Sequence, residues 1–260
     1  MTQPMTLAFA QQLKHWRNLR RMSQLDLGLA ANVSARHVSF LETGRAAPSR
    51  SMVLQLCETL DVPLLARNTA LQAAGFAEIY ANRGFNAAEL AHVRQALDWT
   101  LQQHEPYPAM ALDKHWTIIK ANRPATLLLS AVGLKEADSL LHAMQTSTAL
   151  RGAISNWDDV LRHTVSRLRL ESMKLGDDPL LRAAAESLAF QLADAGNSEL
   201  HVSTAVLSTR YVLNGMELSL FSMIAQFGSA EDIALADLKI ELMFPADEVT
   251  KAVLNKIRMT

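Results

Sequence analysis

One cysteine, Cys57, stands in 260 residues, so no intrachain disulfide can form and the chain suits a reducing compartment. It lies in the apolar pattern Val53, Leu56, Leu60, which predicts a buried structural thiol rather than a redox sensor. Aromatic residues are scarce, at 6%. Long apolar runs are missing too: no segment approaches about 18 consecutive apolar residues, and no basic run precedes the brief apolar MTLAFA near the start. Membrane spanning and secretion are therefore not expected, and a cytoplasmic, nucleoid-associated location is. The sequence also lacks a nucleophile elbow, a phosphate-cradling glycine loop, an HExxH pair and paired-cysteine zinc spacing, and its eight histidines are scattered. Neither catalysis, nor a metal, nor a resident cofactor is expected.

What is present is a core-forming composition and an uneven charge. At 49% hydrophobic residues, the chain has ample material for roughly two domains of about 100–200 residues each. Residues 1–75 hold eight Lys/Arg against four acids, a balance of +4; the remaining 17 basic and 22 acidic residues give −5, and together these make the net −1. A basic head on an acidic body is the footprint of a module that meets phosphates, and its binding should weaken with salt.

The stretch SQLDLGLAANVSARHVSFLETGR, Ser23 to Arg45, carries the spacing of a helix-turn-helix. Leu27, Gly28 and Ala30 read as the inner face of a first short helix, and Val33, Val38 and Leu41 as that of a second. Ser23 and Ser34 are placed as N-caps, Asn32 tolerates the left-handed conformation of a tight turn, and Gly28 lets the second helix cross close by. Phe9, Leu13 and Trp16 mark a preceding helix, with Arg17, Arg20 and Arg21 read as a solvated face; Pro48-Ser49 and Pro63 open two further helices.

Beyond the connector FAEIYANRGF, Asn86 and Glu89 read as a capping pair for a long helix bearing Leu90, Val93, Leu97 and Leu101, a stripe that serves either as a dimer seam or as a docking face. Strands are expected at Ala109–Leu112 and Trp116–Ala121, helices through Leu192, and strands again at 204–213, 216–225 after an Asn214-Gly215 turn, and 238–244. The last puts Leu238, Ile240, Leu242 and Phe244 on one face and Lys239, Glu241 and Met243 on the other.

The helix-turn-helix resembles the XRE (Cro/repressor-like) family through Ser-Gln, Val-Ser, Glu42-Thr43-Gly44-Arg45 and Pro48-Ser49, with Leu27-Gly28 where that family has Leu-Ala. HEPYPAMALDKHWTIIKANRPA, the Asn156-Trp157 pair and GMELSLFSMIAQFGSAEDIALADLKIELMFPAD resemble the MmyB-like bacterial regulators, which join such a head to a PAS-like ligand-binding domain. The likeness covers nearly the whole chain and is weakest between about Met173 and Ser203. It implies an α+β protein: a five-helix helix-turn-helix domain over 1–76, a connector with a long linking helix over 77–104, and a PAS-like antiparallel sheet covered by helices over 105–260.

In that fold, residues at the start of the second reading helix and one turn later face base edges: Ala35, Arg36 and His37, then Phe40. Arg36 is the expected reader of sequence, because a guanidinium bonds guanine O6 and N7 together, and Ala35 and Phe40 are placed for thymine methyls. Ser34, at the start of the same helix, is also expected at the DNA. Gln24 resembles the family glutamine that anchors a phosphate and braces the recognition helix; Ser39, Arg45 and Arg50 are expected on the backbone. The expected ligand wall comprises Met110, Leu112, Trp116, Ile118, Leu218, Leu220, Leu242 and Phe244, each of which is equally at home in a plain core. Asn122 either bonds a ligand head group or caps the helix at Pro124, and the cap is favoured. The resemblance implies a small apolar ligand such as a fatty acid; a homodimer on an inverted-repeat operator in double-stranded DNA is expected because a single short recognition helix contacts too few bases for genomic specificity. The competing class is a DNA-tethered interaction module whose large domain binds a partner protein.

Overall fold

The structure, a computed structural model, describes residues 3–194, 206–213, 215–228 and 230–257. Its N-terminal segment forms five helices: α1 (Gln3–Leu19), α2 (Gln24–Ala30), α3 (Ala35–Glu42), α4 (Arg50–Thr59) and α5 (Leu64–Ala73). At seven and eight residues, α2 and α3 are too short to persist alone and depend on the core they share. Phe9, Leu13 and Trp16 of α1 meet Leu27, Val38, Leu41, Val53 and Leu56 there. Serine begins three of the helices: Ser23, Ser34 and Ser49 each accept the backbone N–H three residues on. Cys57 is buried in the same core, and burial pushes its thiol up to about 11, so it stays protonated at neutral pH.

The chain divides into two compact units, each discontinuous in sequence. The first comprises Met1–Arg83, Leu170–Pro179 and Ala230–Ile233, and the second Gly84–Arg169, Leu180–Ser229 and Ala234–Thr260. Within the first unit, Gly176 has φ +86 and approaches the Trp16 ring so closely that a Cβ there would sit 2.6 Å from it. In that unit Arg83 also pairs with the buried Asp232 at 3.2 Å.

The second unit is built on β1 (Ala109–Leu112), β2 (Ile118–Ala121), β3 (Thr209–Leu213), β4 (Met216–Ala225) and β5 (Lys239–Pro245), all paired antiparallel in the order β2-β1-β5-β4-β3. Between β2 and β3 run α7 (Arg123–Ala131), α8 (Leu140–Thr146), α9 (Thr148–Gly152), α10 (Trp157–Lys174) and α11 (Pro179–Asp194); α12 (Ile233–Ala236) and α13 (Glu248–Ile257) flank β5. Two strands, a block of helices and three strands in one antiparallel sheet is the PAS-like arrangement that the resemblance implies. Residues 204 and 205 of the expected third strand, and Asn214 of the hairpin turn, lie outside the described residues.

Both faces of this sheet carry packing, although Met223 and Ile224 of β4 stay exposed. On one face Leu97 and Leu101 of α6 (Ala91–Gln103) pack with Ala109, Ala111, Leu238 and Ile240. The stripe expected as a possible dimer seam is thus spent inside the unit, with Leu97 and Leu101 at 1% and 3% exposure. The expected Asn86/Glu89 cap does not form. The helix instead follows a 3₁₀ turn at Ala88–Leu90, and Arg94 Nη1 reaches back to donate to the carbonyls of Phe85 and Ala87. The first hairpin also differs: Asp113 Oδ1 accepts from His115 N and Thr117 N, extending the turn so that β2 begins at Ile118 and Trp116 sits in the left-handed region at φ 63.

Candidate nucleic-acid interface and ligand cavity

The reading helix α3 is fixed to the rest of its unit by a buried polar knot. Arg17 donates through Nε and Nη2 to the two Glu42 oxygens at 2.6 and 2.9 Å and through Nη1 to Met22 O, while Gln24 Nε2 donates to the same carboxylate at 2.8 Å. The Glu42 side chain is 2% exposed. Arg17, expected on a solvated face, is therefore an internal brace; its stem covers core while its charge is satisfied. Arg20 is likewise engaged, donating to Leu60 O and Asp61 O at 2.8 Å. At the turn, Asn32 takes φ 50, and a Cβ on Gly28 would lie 2.6 Å from Val33 O, so no larger residue fits that crossing.

These contacts leave one face of α3 turned outward. Arg36 is exposed, with its guanidinium 5.2 Å from the centre of the Phe40 ring, one turn on. Ser34, Arg45 and Arg50 are exposed, and Ala35, His37, Ser39 and Phe40 are partly so. Ser34 is occupied as the α3 cap, its hydroxyl accepting from His37 N at 3.1 Å. Gln24 is partly buried, and its bond to Glu42 ties the start of α2 to the end of α3.

In the second unit a cavity of about 810 Å³ opens between the other sheet face and the helices α7 to α10. Leu128, Leu129, Val132, Leu140, Met144, Leu150 and Ile154 supply an apolar wall from α7, α8, α9 and their flanks. Asp159, Arg162, His163 and Arg167 enter from α10, and Tyr211, Ser222, Glu241 and Met243 from the sheet. Burial, with the Glu241 charge adding to it, pushes the Tyr211 phenol upward, so its hydroxyl stays neutral. Among the described residues no group of three or more His, Cys, Asp or Glu is placed to hold a metal ion, and no helix is long and apolar enough to cross a membrane.

Two known families match this chain. Residues 8–70 match a helix-turn-helix domain, and residues 93–257 match the MmyB-like transcription regulator ligand binding domain. The chain belongs to the MmyB-like transcription regulators. It is a DNA-binding regulator with a ligand-binding domain, and neither matched family describes an enzyme. Among solved structures, the PAS domain of Bordetella pertussis BvgS is similar at 13% identity and a TM-score of 0.28, covering 64% of this chain and 99% of that one. No curated protein matches the chain in sequence.

The structure of this MmyB-like regulator distributes the expected ligand wall unevenly. Met110 and Trp116 line the cavity. Leu112, Ile118 and Leu220 fill the solid core beside it with Leu254, and Leu218 is buried outside the wall. Leu242 packs with the α6 cluster on the opposite face, and Phe244 meets His104 and Phe221 at 4.8 and 5.6 Å. Asn122 is the α7 cap: its Oδ1 accepts from Ala109 N and Ala125 N, and its Nδ2 donates to Leu101 O and Tyr107 O, which uses the whole amide. The α10 residues and Glu241 escape a reading by pattern, because charged side chains on a helix and on alternate strand positions look like solvated faces. Their signal is the packing of helices against this side of the sheet, which turns the Glu241 face toward the cavity rather than toward open surface.

Proposed function

We propose that this regulator binds an inverted-repeat operator as a homodimer and that a small apolar molecule, such as a fatty acid, changes its operator affinity. The cavity of about 810 Å³ carries this reading. It falls within the size of small-molecule sites, and each methylene buried against its leucines and methionines is worth about 0.8 kcal/mol. Dimerisation is part of the proposal because a single eight-residue recognition helix spans too few bases for genomic selectivity, and paired half-sites double the readout. Regulation further requires that the ligand favour one arrangement of the protein over another, since equal affinity shifts nothing.

The test is operator binding by the full chain with and without dodecanoate, alongside native mass spectrometry of protein from its own host. We expect a co-purifying small molecule and a change of operator affinity. Met144→Trp, which fills part of the apolar wall, should remove the response and leave DNA binding intact. Unchanged affinity with every apolar molecule that raises the melting temperature, together with a co-purifying protein, would transfer the function to the partner-binding class.

A further inference from the structure

Helix α10 is shared between the two units. Residues 157–169 belong to the second, where Asp159, Val160, His163, Thr164 and Arg167 line the cavity, and residues 170–174 belong to the first. Its 18 residues include neither glycine nor proline, so no break separates the two parts. The start of the helix is tied to the sheet: Asn156 Oδ1 accepts from Arg210 N at 2.9 Å, and its Nδ2 donates to Ser208 O at 2.8 Å. Within the first unit, the other end is held by main-chain carbonyls. Arg20 donates through Nη1 to Met173 O at 3.1 Å and through Nη2 to Lys174 O at 3.4 Å, and His15 Nε2 donates to Gly176 O at 3.3 Å. Ser172 fastens the following turn to the helix, its hydroxyl donating to Asp178 O at 3.0 Å and its carbonyl accepting from Asp177 N at 2.9 Å. Arg20 also binds Leu60 O and Asp61 O, and Arg17, one turn before it, holds Glu42 at the end of the reading helix.

From this continuity we propose that α10 is the transmission element of the regulator, carrying the occupancy of the cavity to the reading helix. A ligand that widens the cavity pivots α10 about its Asn156 tether, so the displacement falls on residues 170–174. Arg20 and His15 pass it to α1, and Arg17 and Glu42 pass it on to α3. The proposal rests on the ligand-sensing reading above and adds the route by which it acts. Each link is a hydrogen bond or a continuous helix, the kind of contiguous network that carries coupling between distant sites. By contrast, α6 lies wholly in the second unit and packs on the sheet face away from the cavity. Because the grip on α10 is through backbone carbonyls, the route needs the stiffness of the helix and not the identity of its exposed side chains.

The experiment compares the unaltered full chain with a glycine pair, Arg169→Gly with Leu170→Gly, and an alanine pair, Arg169→Ala with Leu170→Ala. Both positions are exposed, so glycine there removes stiffness without removing core, and alanine keeps the helix. Operator affinity is measured with and without dodecanoate, and hydrogen exchange is followed in peptides 157–168 and 14–22. In the unaltered chain and the alanine pair, dodecanoate should change operator affinity several-fold and alter exchange in both peptides. In the glycine pair, the operator should still bind and exchange in 157–168 should still respond. The ratio of affinities with and without dodecanoate should there fall to about one, with 14–22 silent. A ratio in the glycine pair equal to that of the unaltered chain overturns α10 as the route and leaves the sensing reading standing; no change of affinity in the unaltered chain overturns both. Should the glycine pair fail to fold, the unaltered chain decides: an exchange response in 157–168 without one in 14–22 refutes the proposal, and a response in both alongside altered operator affinity supports it.

Discussion

Glu42 is the residue on which the placement of the reading helix turns. It closes α3, is almost wholly buried, and receives both Arg17 and Gln24. Removing one partner of a buried pair leaves the other charge without compensation, so Glu42→Ala should cost about 3–5 kcal/mol. Thermal unfolding of the full chain is the check, and a loss below about 1 kcal/mol would show that water replaces the carboxylate. Arg36 and Arg50 are proposed to act at the other extreme, on DNA rather than on the fold. Arg36→Ala should cost about 1–3 kcal/mol at the cognate site and far less on random sequence, whereas Arg50→Ala should weaken all DNA alike and flatten the salt dependence. Phe40, stacked by Arg36, is placed to hold that guanidinium in position, so Phe40→Ala should reduce the same discrimination and Phe40→Tyr restore it.

At the scale of elements, the α2–α3 crossing depends on one missing methyl. Gly28→Ala would press a Cβ against Val33 O, and relieving the contact should cost about 1–3 kcal/mol, read as a fall in melting temperature together with loss of operator binding. Much of this region was legible in the sequence because its signals are local: Ser23 and Ser34 as caps, Asn32 at the turn, Gly28 at the crossing. The order of strands and helices was legible for the same reason, through period and turn residues. Long-range uses of a side chain were not. Arg17 reads as solvated until Glu42, 25 residues away, is seen to meet it. The alternation in β5 was read correctly, yet the face that lines the cavity is the one with Glu241 and Met243, not the one with Leu242 and Phe244, because α6 already occupies the latter. Nothing in one strand's sequence says which of its two faces meets a helix and which meets a void.

Across the whole molecule, the +4 balance of residues 1–75 against −5 in the remainder aims any attraction to phosphate at the reading helices and discourages the rest of the chain from lying on DNA. The units themselves are not consecutive passages of chain, since Leu170–Pro179 and Ala230–Ile233 belong with Met1–Arg83. A cut after Arg83 therefore takes the Gly176 backbone away from the Trp16 ring and Asp232 away from the Arg83 guanidinium. Fragment 1–83, whose one tryptophan is Trp16, should melt below the intact chain and emit at the red wavelength of a hydrated indole; a blue, buried-type emission and an unchanged melting point would mean the two later segments are dispensable. The same interleaving limits how such a regulator can be recombined. A head grafted onto another sensor by a single junction would arrive without part of its own packing, so heads and sensors of this build should travel together in evolution, and a working chimaera should need residues 170–179 and 230–233 to be carried across with the head.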